Sequence, residues 1–253
     1  MYNLVVETAP TITLHTQPGF CVPGREPCFS GTPFGIKVER VLRFKRLPFR
    51  VQEVLWQERA SVLPRLSRSR KLPVLEYDGA LIEDSTSIAH FLEERHPKPR
   101  LTPLDPLEAA TSRLLEDWAD EALYFYRTYG MLRLGGELTI RYLTPPIDRE
   151  LADRLDDGIR SHLEQVLDAQ GIGRYPREKF ELDLARCLDA LETRVASLGH
   201  LAGSTLSFAD LAVFGQFARL LSGTDPWFEE RLASRRALRR WYEVVGAETV
   251  GER

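Results

Sequence analysis

Cysteine is scarce in this chain of 253 residues: there are three, Cys21, Cys28 and Cys187. A low, odd count excludes a disulfide framework and fits a reducing compartment, so a cytoplasmic location is expected. Cys21 and Cys28 share one loop and are near enough in sequence to cross-link. Neither they nor the five histidines show metal-ligand spacing, and no metal is expected. An excess of positive charge is also missing, with 34 basic against 37 acidic residues and a formal net charge of −3. A chain that grips phosphate backbones is usually basic, so nucleic acid is not an expected partner. Long hydrophobic runs are missing too. The most apolar stretch, Leu211 to Leu221, is interrupted by Gln216 and Arg219 and is too short to span a bilayer, so no membrane partner is expected. Met1 to Ala9 carries Glu7 and no basic start, unlike a secretory leader. There is no Gly-x-Ser-x-Gly elbow, no Gly-Lys-Ser/Thr phosphate loop and no dinucleotide fingerprint. What is present, 43% hydrophobic and 28% charged residues, is ordinary for a globular protein of one large or two modest domains.

The first hundred residues alternate strand-like and helical segments. Thr11 to His15 alternates polar and apolar, the period of a strand. A loop rich in proline and glycine follows, up to Gly31. Thr32-Pro33 then opens a helix, with Thr at the N-cap, Pro at the first helical position, and Val38, Val41 and Leu42 at helical spacing. Phe49 to Val51 reads as a second strand, and Arg59 to Lys71 as a basic connector. Leu72 to Tyr77 is a short apolar strand, Asp78-Gly79 a tight hairpin turn, and Ala80 to Ile82 the return strand. Asp84 and Ser85 cap a helix whose apolar face is Ile88, Phe91 and Leu92. This order predicts one mixed sheet with helices packed on it.

From Pro97 to Pro106 four prolines deny the backbone the amides that a helix or central strand needs, which marks a linker. Everything beyond reads as helix. Leu107, Leu114, Leu115, Trp118, Ala122 and Phe125 form one stripe, and Phe180, Leu184, Cys187, Leu188, Leu191, Val195 and Leu198 another. Ser207 and Asp210 have capping-box spacing ahead of an apolar helix. A last helix is predicted over Glu229 to Val245. The predicted domains are therefore 1–97, α/β, and 106–253, all-α.

The run Lys71-Leu-Pro-Val-Leu-Glu-Tyr-Asp-Gly-Ala-Leu-Ile-Glu-Asp-Ser-Thr-Ser-Ile-Ala-His-Phe-Leu-Glu-Glu94 resembles the glutathione-binding half of glutathione transferases. Thr32 to Glu39 resembles that family's first helix, and the Ser207-x-x-Asp210 box its helical-domain cap. Together these cover nearly the whole chain in the family's order. The resemblance implies a thioredoxin-like N-terminal domain followed by an all-helical C-terminal domain. It implies a cis Leu72-Pro73 bond, with the Leu72 backbone turned outward to pair with glutathione as an extended peptide; from the residues alone Pro73 could equally start an edge strand. It implies that Asp84 and Ser85 hold the γ-glutamyl group at a helix N-terminus, where free amides favour a carboxylate; plain capping is the other use of these two residues. Lys71, and with it Arg59, Arg65, Arg68 and Arg70, falls where the family grips the glycine carboxylate.

For catalysis, the resemblance implies a hydroxyl or thiol near the start of the first helix, directed at the glutathione sulfur. Thr32 aligns with it, Ser30 and Cys28 lie within four residues, and Thr32 could instead serve only as a cap. The implied function is conjugation of the glutathione thiolate, as co-substrate, to a small apolar electrophile, by a homodimer. The electrophile would meet the aromatic segment Glu116 to Arg133, which holds Trp118, Tyr124, Phe125, Tyr126 and Tyr129; an aromatic stripe at helical spacing is more often core, and Trp118 is read as core. The Thr16 to Gly31 loop is longer than the family's usual turn and could act as a lid. Cys28 as nucleophile would imply thiol transfer instead. Val38-Glu39 and Gln170 to Glu178 also resemble the metaxin-like and failed-axon-connection-like branch, which implies a non-catalytic binding protein as the alternative.

Overall fold

The computed structural model describes residues 9–144 and 146–250. The extreme ends of both predicted domains, and most of the stretch read for a leader, lie outside the described residues. Four strands, β1 (Ile12–Thr16), β2 (Arg50–Glu53), β3 (Val74–Tyr77) and β4 (Ala80–Glu83), form one sheet in the order β2-β1-β3-β4. β1 runs parallel to β2 and antiparallel to β3, which pairs antiparallel with β4. Asp78 and Gly79 both take positive φ, 49° and 83°, as the tight hairpin demands. The Asp78 carboxylate also accepts from the Thr11 amide at 2.8 Å, tying the turn to the start of β1.

Helices α1 (Pro33–Phe44), α2 (Arg59–Leu66) and α3 (Ser85–Arg95) complete the first unit. Ile12, Leu14 and Leu75 of the sheet pack with Val38, Val41 and Leu42 of α1 and with Ile88 and Leu92 of α3 in one core. The presence of α2, within what reads as a charged connector, shows how little of an apolar stripe it carries: Leu63 is its single buried residue.

The second part is helical: α4 (Pro106–Trp118), α5 (Tyr124–Arg133), α6 (Arg149–Gln170), α7 (Arg177–Leu198), α8 (Phe208–Leu220), α9 (Pro226–Ala233) and α10 (Arg236–Glu248). A single π-helical turn, Ala119–Leu123, joins α4 to α5. Asp105 caps α4 by accepting from the amides of Leu107 and Glu108, and Pro106 takes the first helical position. The predicted last helix is in fact two, α9 and α10, interrupted at Ser234-Arg235. The predicted stripe of α4 also needs correction: Leu107 and Leu114 face outward, 76% and 72% exposed.

α8 is apolar on nearly every side and buried along its length. It crosses α1 so closely that a Cβ at Gly215 would stand 2.5 Å from the Pro33 carbonyl oxygen. Only glycine fits there, and the crossing fixes the two units against each other. The resulting architecture is a thioredoxin-like α/β domain followed by an all-helical domain. Among the described residues no helix is long and apolar enough to cross a membrane.

Candidate active site

A cleft of about 460 Å³ opens between the two units. Its first wall comes from the α/β domain: Thr32, Phe34, Trp56, Arg59, Lys71 and Leu72. The facing wall comes from the helical domain and extends from Asp120, Tyr124 and Arg127 to Leu138, Ile140 and Leu163.

Thr32 occupies the N-cap position of α1, with extended φ and ψ of −117° and 136°. Its hydroxyl makes no capping bond, so it is available to the cleft. Ser30 is fully buried. Its hydroxyl lies 2.9 Å from that of Thr16 and accepts from the Thr32 amide at 3.2 Å. Ser30 therefore braces the approach to α1, and the sequence candidate for catalysis that faces the cleft is Thr32. The Cys28 thiol donates to the Ser30 carbonyl at 3.5 Å. Burial pushes its pKa up, against the pull of Arg219. Cys21, Cys28 and Cys187 are all free.

The long loop ahead of α1 contributes Gln17 and Gly31 to the cleft wall and is bonded along the rest of its length. The Phe20 amide donates to the Cys28 carbonyl at 3.1 Å, the Cys21 amide to the Tyr142 carbonyl at 2.8 Å, and the Thr144 amide to Gly19 at 3.1 Å. Arg25 completes the seam on Glu229 at 2.6 Å. The loop is thereby stitched to the helical domain.

Leu72-Pro73 is cis. The β1–β3 ladder begins at Val74, so Leu72 lies outside it, on the cleft wall. Lys71 lines the cleft as well, whereas Pro73, Asp84 and Ser85 are not part of its wall. Pro73 and Ser85 are buried and Asp84 is exposed. Asp84 has a φ of 72°, and its carboxylate accepts from the Thr86 and Ser87 amides at 3.1 and 2.9 Å. Thr86, beside Ser85, donates to Asp120 in the facing wall at 3.0 Å, which brings the α3 N-terminus to the rim.

Glu83, which sequence reasoning did not single out, organises the basic connector. It accepts from the Ser67 hydroxyl at 2.6 Å and from the Arg68 and Ser69 amides at 2.9 and 3.2 Å. Those bonds, the Ser67 hydroxyl first, hold its carboxyl down at about 2. Of the basic residues there, Arg59, Arg70 and Lys71 line the cleft; Arg65 and Arg68 do not. Arg59 stacks on Trp56, its guanidinium carbon 3.4 Å from the ring centre, and its Nε and Nη2 have no partner.

Two buried charge clusters, also unread in the sequence, flank α1. Lys37 is 1% exposed and reaches Asp120 at 2.6 Å, Glu116 at 2.7 Å and the Thr86 hydroxyl at 2.9 Å. Glu116 takes His90 at 3.1 Å and Arg113 at 3.4 Å as well. Burial works against the Glu116 carboxylate, but His90 and Lys37 outweigh it and hold its pKa down at about 2. For Asp120 burial wins, and its pKa is raised. The second cluster is Arg127 of α5 and Arg219 of α8, both in the cleft wall. Arg219 donates to the Gly31 carbonyl at 3.1 Å, immediately before Thr32.

Known proteins match this arrangement. The sequence profile of the glutathione S-transferase N-terminal domain matches residues 28–100, and that of the glutathione S-transferase C-terminal domain matches residues 174–244. Glutathione S-transferase U6 of Arabidopsis thaliana is 27% identical over 129 residues, which is 49% of this chain and 58% of that protein. A probable maleylacetoacetate isomerase of Caenorhabditis elegans is 28% identical over 86 residues, 34% of this chain and 40% of that protein. The chain thus spans less than two thirds of either relative. Among solved structures, the beta-etherase LigF from Sphingobium sp. superposes with a TM-score of 0.66 at 20% identity, covering 94% of this chain and 95% of that one. With both domain profiles matched in order over more than half its length, the chain belongs to the glutathione S-transferase family.

Proposed function

We propose that this protein is a glutathione-dependent transferase that activates the glutathione thiol at Thr32 and conjugates it to a small electrophile held by the helical wall. The observation that carries this reading is the free Thr32 hydroxyl at the N-terminus of α1, on the same cleft as Leu72 and Lys71. A thiol of pKa about 8.5 is only a few per cent ionised at neutral pH, and lowering it by about two units takes about 2.7 kcal/mol of preferential thiolate stabilisation. A hydroxyl donor and the positive end of a helix dipole both supply it. The tripeptide backbone would pair with Leu72, its γ-glutamyl end would reach Asp84 and Ser85 at the α3 N-terminus, and its glycine carboxylate would meet Lys71 and Arg59.

A homodimer fits the surface. Leu104, just ahead of α4, and Leu107 and Leu114 on it are 82%, 76% and 72% exposed, and Leu81 of β4 is 44% exposed. An apolar stripe of that kind marks a protein contact.

The test is glutathione binding by calorimetry, followed by the Thr32→Val variant. The unmutated protein is expected to bind glutathione and conjugate it. Thr32→Val keeps the side-chain shape and removes the hydroxyl. It should raise the pKa of the bound thiol and lower turnover at neutral pH about tenfold for each 1.36 kcal/mol lost. Its folding stability should hardly change, because the hydroxyl makes no cap bond. Unchanged turnover would remove Thr32 from the mechanism. Absence of glutathione binding would leave the non-catalytic binding protein as the reading.

A further inference from the structure

We infer that the second substrate of this cleft carries an anionic group, a carboxylate or its equivalent, docked on Arg127 with Arg219 beside it. The inference rests on the transferase reading above and narrows its substrate class from any apolar electrophile to an aromatic anion.

Arg127 is 8% exposed, lines the cleft, and its Nε is buried without a hydrogen-bond partner. Among the described residues no carboxylate lies within 4.0 Å of its guanidinium. Arg219 is 4% exposed and is in the same position as regards carboxylates: it bonds the Gly31 carbonyl and the Ser222 and Thr224 hydroxyls, and stacks over Phe20 at 4.7 Å. Asp225 is the carboxylate whose charge favours both arginines, but it forms no ion pair within 4.0 Å with either. One of its oxygens accepts from the Phe228 amide at 3.1 Å and the other is buried with no partner. Burial, outweighing that amide and the two arginines, raises its pKa and so disfavours its charged form.

Burying an ion without a close counter-ion is costly, so Arg127, whose Nε has no partner, is the group that an anion entering the cleft would compensate. A guanidinium is planar, always charged and forked, which matches a carboxylate through two parallel hydrogen bonds. Arg127 lies over the Tyr124 ring at 5.1 Å. Tyr124 in turn packs against Phe34 and Phe125, each at 5.4 Å between ring centres. The wall therefore offers an aromatic surface ending in a fixed cationic fork. It faces the wall of Arg59 and Lys71, so the cleft has a separate cationic group for glutathione.

The test compares 2-naphthoate with 2-naphthamide, two flat probes that differ in charge, by ligand-observed NMR titration of the full chain with and without saturating S-methylglutathione. Naphthoate is expected to bind about tenfold more tightly than the amide or better, as a charged hydrogen-bonded pair requires. The preference should persist alongside S-methylglutathione and disappear in Arg127→Gln. Equal affinities in the unmutated protein overturn the proposal without needing any variant. Displacement of naphthoate by S-methylglutathione overturns it too, by giving the arginines to the tripeptide. A raised thiol pKa in Arg127→Gln with the naphthoate preference intact would likewise overturn it. A naphthoate preference in a protein that ignores S-methylglutathione would sink the transferase reading and keep the anion anchor.

Discussion

Lys37 and Arg127 are both withdrawn from water, at 1% and 8% exposure, and their surroundings differ in kind. Lys37 meets two carboxylates and a hydroxyl within 2.9 Å, contributed by α3, α4 and the π turn that follows it. Lys37, Thr86 and His90 of the first unit meet Glu116 and Asp120 of the second, so the cluster's charges hold the boundary closed. Arg127 meets an aromatic face and no carboxylate. The lesson is that burial alone does not say what a charge is for. A paired buried cation is part of the fold, whereas an unpaired one on a cleft wall is directed at a ligand.

The largest expected effect tests the paired side. Glu116→Ala leaves Lys37 with half of its counter-charge and strands His90 and Arg113, so urea denaturation should show a loss of about 3–5 kcal/mol. A loss below about 1 kcal/mol would mean that Asp120 suffices and that the cluster is not a latch.

Asp210→Ala should follow closely. Its buried carboxylate accepts from the Ser207 amide and hydroxyl at 2.9 and 2.7 Å, the Leu201 amide at 2.8 Å and the Trp241 indole at 2.8 Å. Four donors would lose their acceptor, at a combined cost of about 3 kcal/mol or more. Ser207→Ala loses one cap contact, about 1 kcal/mol. Equal losses for the two variants would show that the box is a cap and nothing more.

His200 gives a smaller, pH-dependent effect. Burial works against its imidazolium, but the Asp210 carboxylate 3.5 Å from Nδ1 and the charge of Glu248 outweigh burial and raise its pKa. A raised folded-state pKa means the contribution is complete below about pH 6.5 and is lost as pH climbs through the folded value. Thermal melts from pH 6 upward should therefore show a decline that flattens in His200→Gln. An identical slope in both would remove His200 from the account.

The smallest stability change belongs to the unpaired side. Arg127→Met replaces an uncompensated buried charge by a side chain of similar length, and stability should stay within about 1 kcal/mol or rise. A loss near that of Glu116→Ala would erase the contrast between the two clusters.

Much of the fold is legible in local sequence. The Asp78-Gly79 turn, the cap at Asp84 and the β-strand alternation at Ile12 and Leu14 are short-range effects, decided by residues within a few positions. The break between α9 and α10 was not legible, because Ser234 and Arg235 carry no glycine or proline signal. Leu107 and Leu114 misled for a different reason: helical spacing marks an apolar face and does not say what covers it. In the cleft, Thr32, Lys71 and Leu72 were readable through their place in a recognisable run. Arg219 was not, since it meets Gly31 across 188 positions of sequence. Lys37 reads as an ordinary surface charge on an amphipathic helix until the partners at 116 and 120 are folded onto it.

The seam between the Gly19–Cys28 loop and the Tyr142–Thr144 segment bears on how the protein is made. A nascent chain leaves the ribosome N-terminus first, so the sheet and α1 emerge well before Tyr142. Until that later segment is available, the hydrogen bonds from the Cys21 amide to Tyr142 and from the Thr144 amide to Gly19 cannot form. The loop leading into Thr32 is then held by its own turn, by the Thr16–Ser30 contact and by the Gly19 amide on Glu53 of β2. The edge of the cleft that carries the Thr32 hydroxyl is thus finished late in synthesis, when both halves of the molecule exist to be joined.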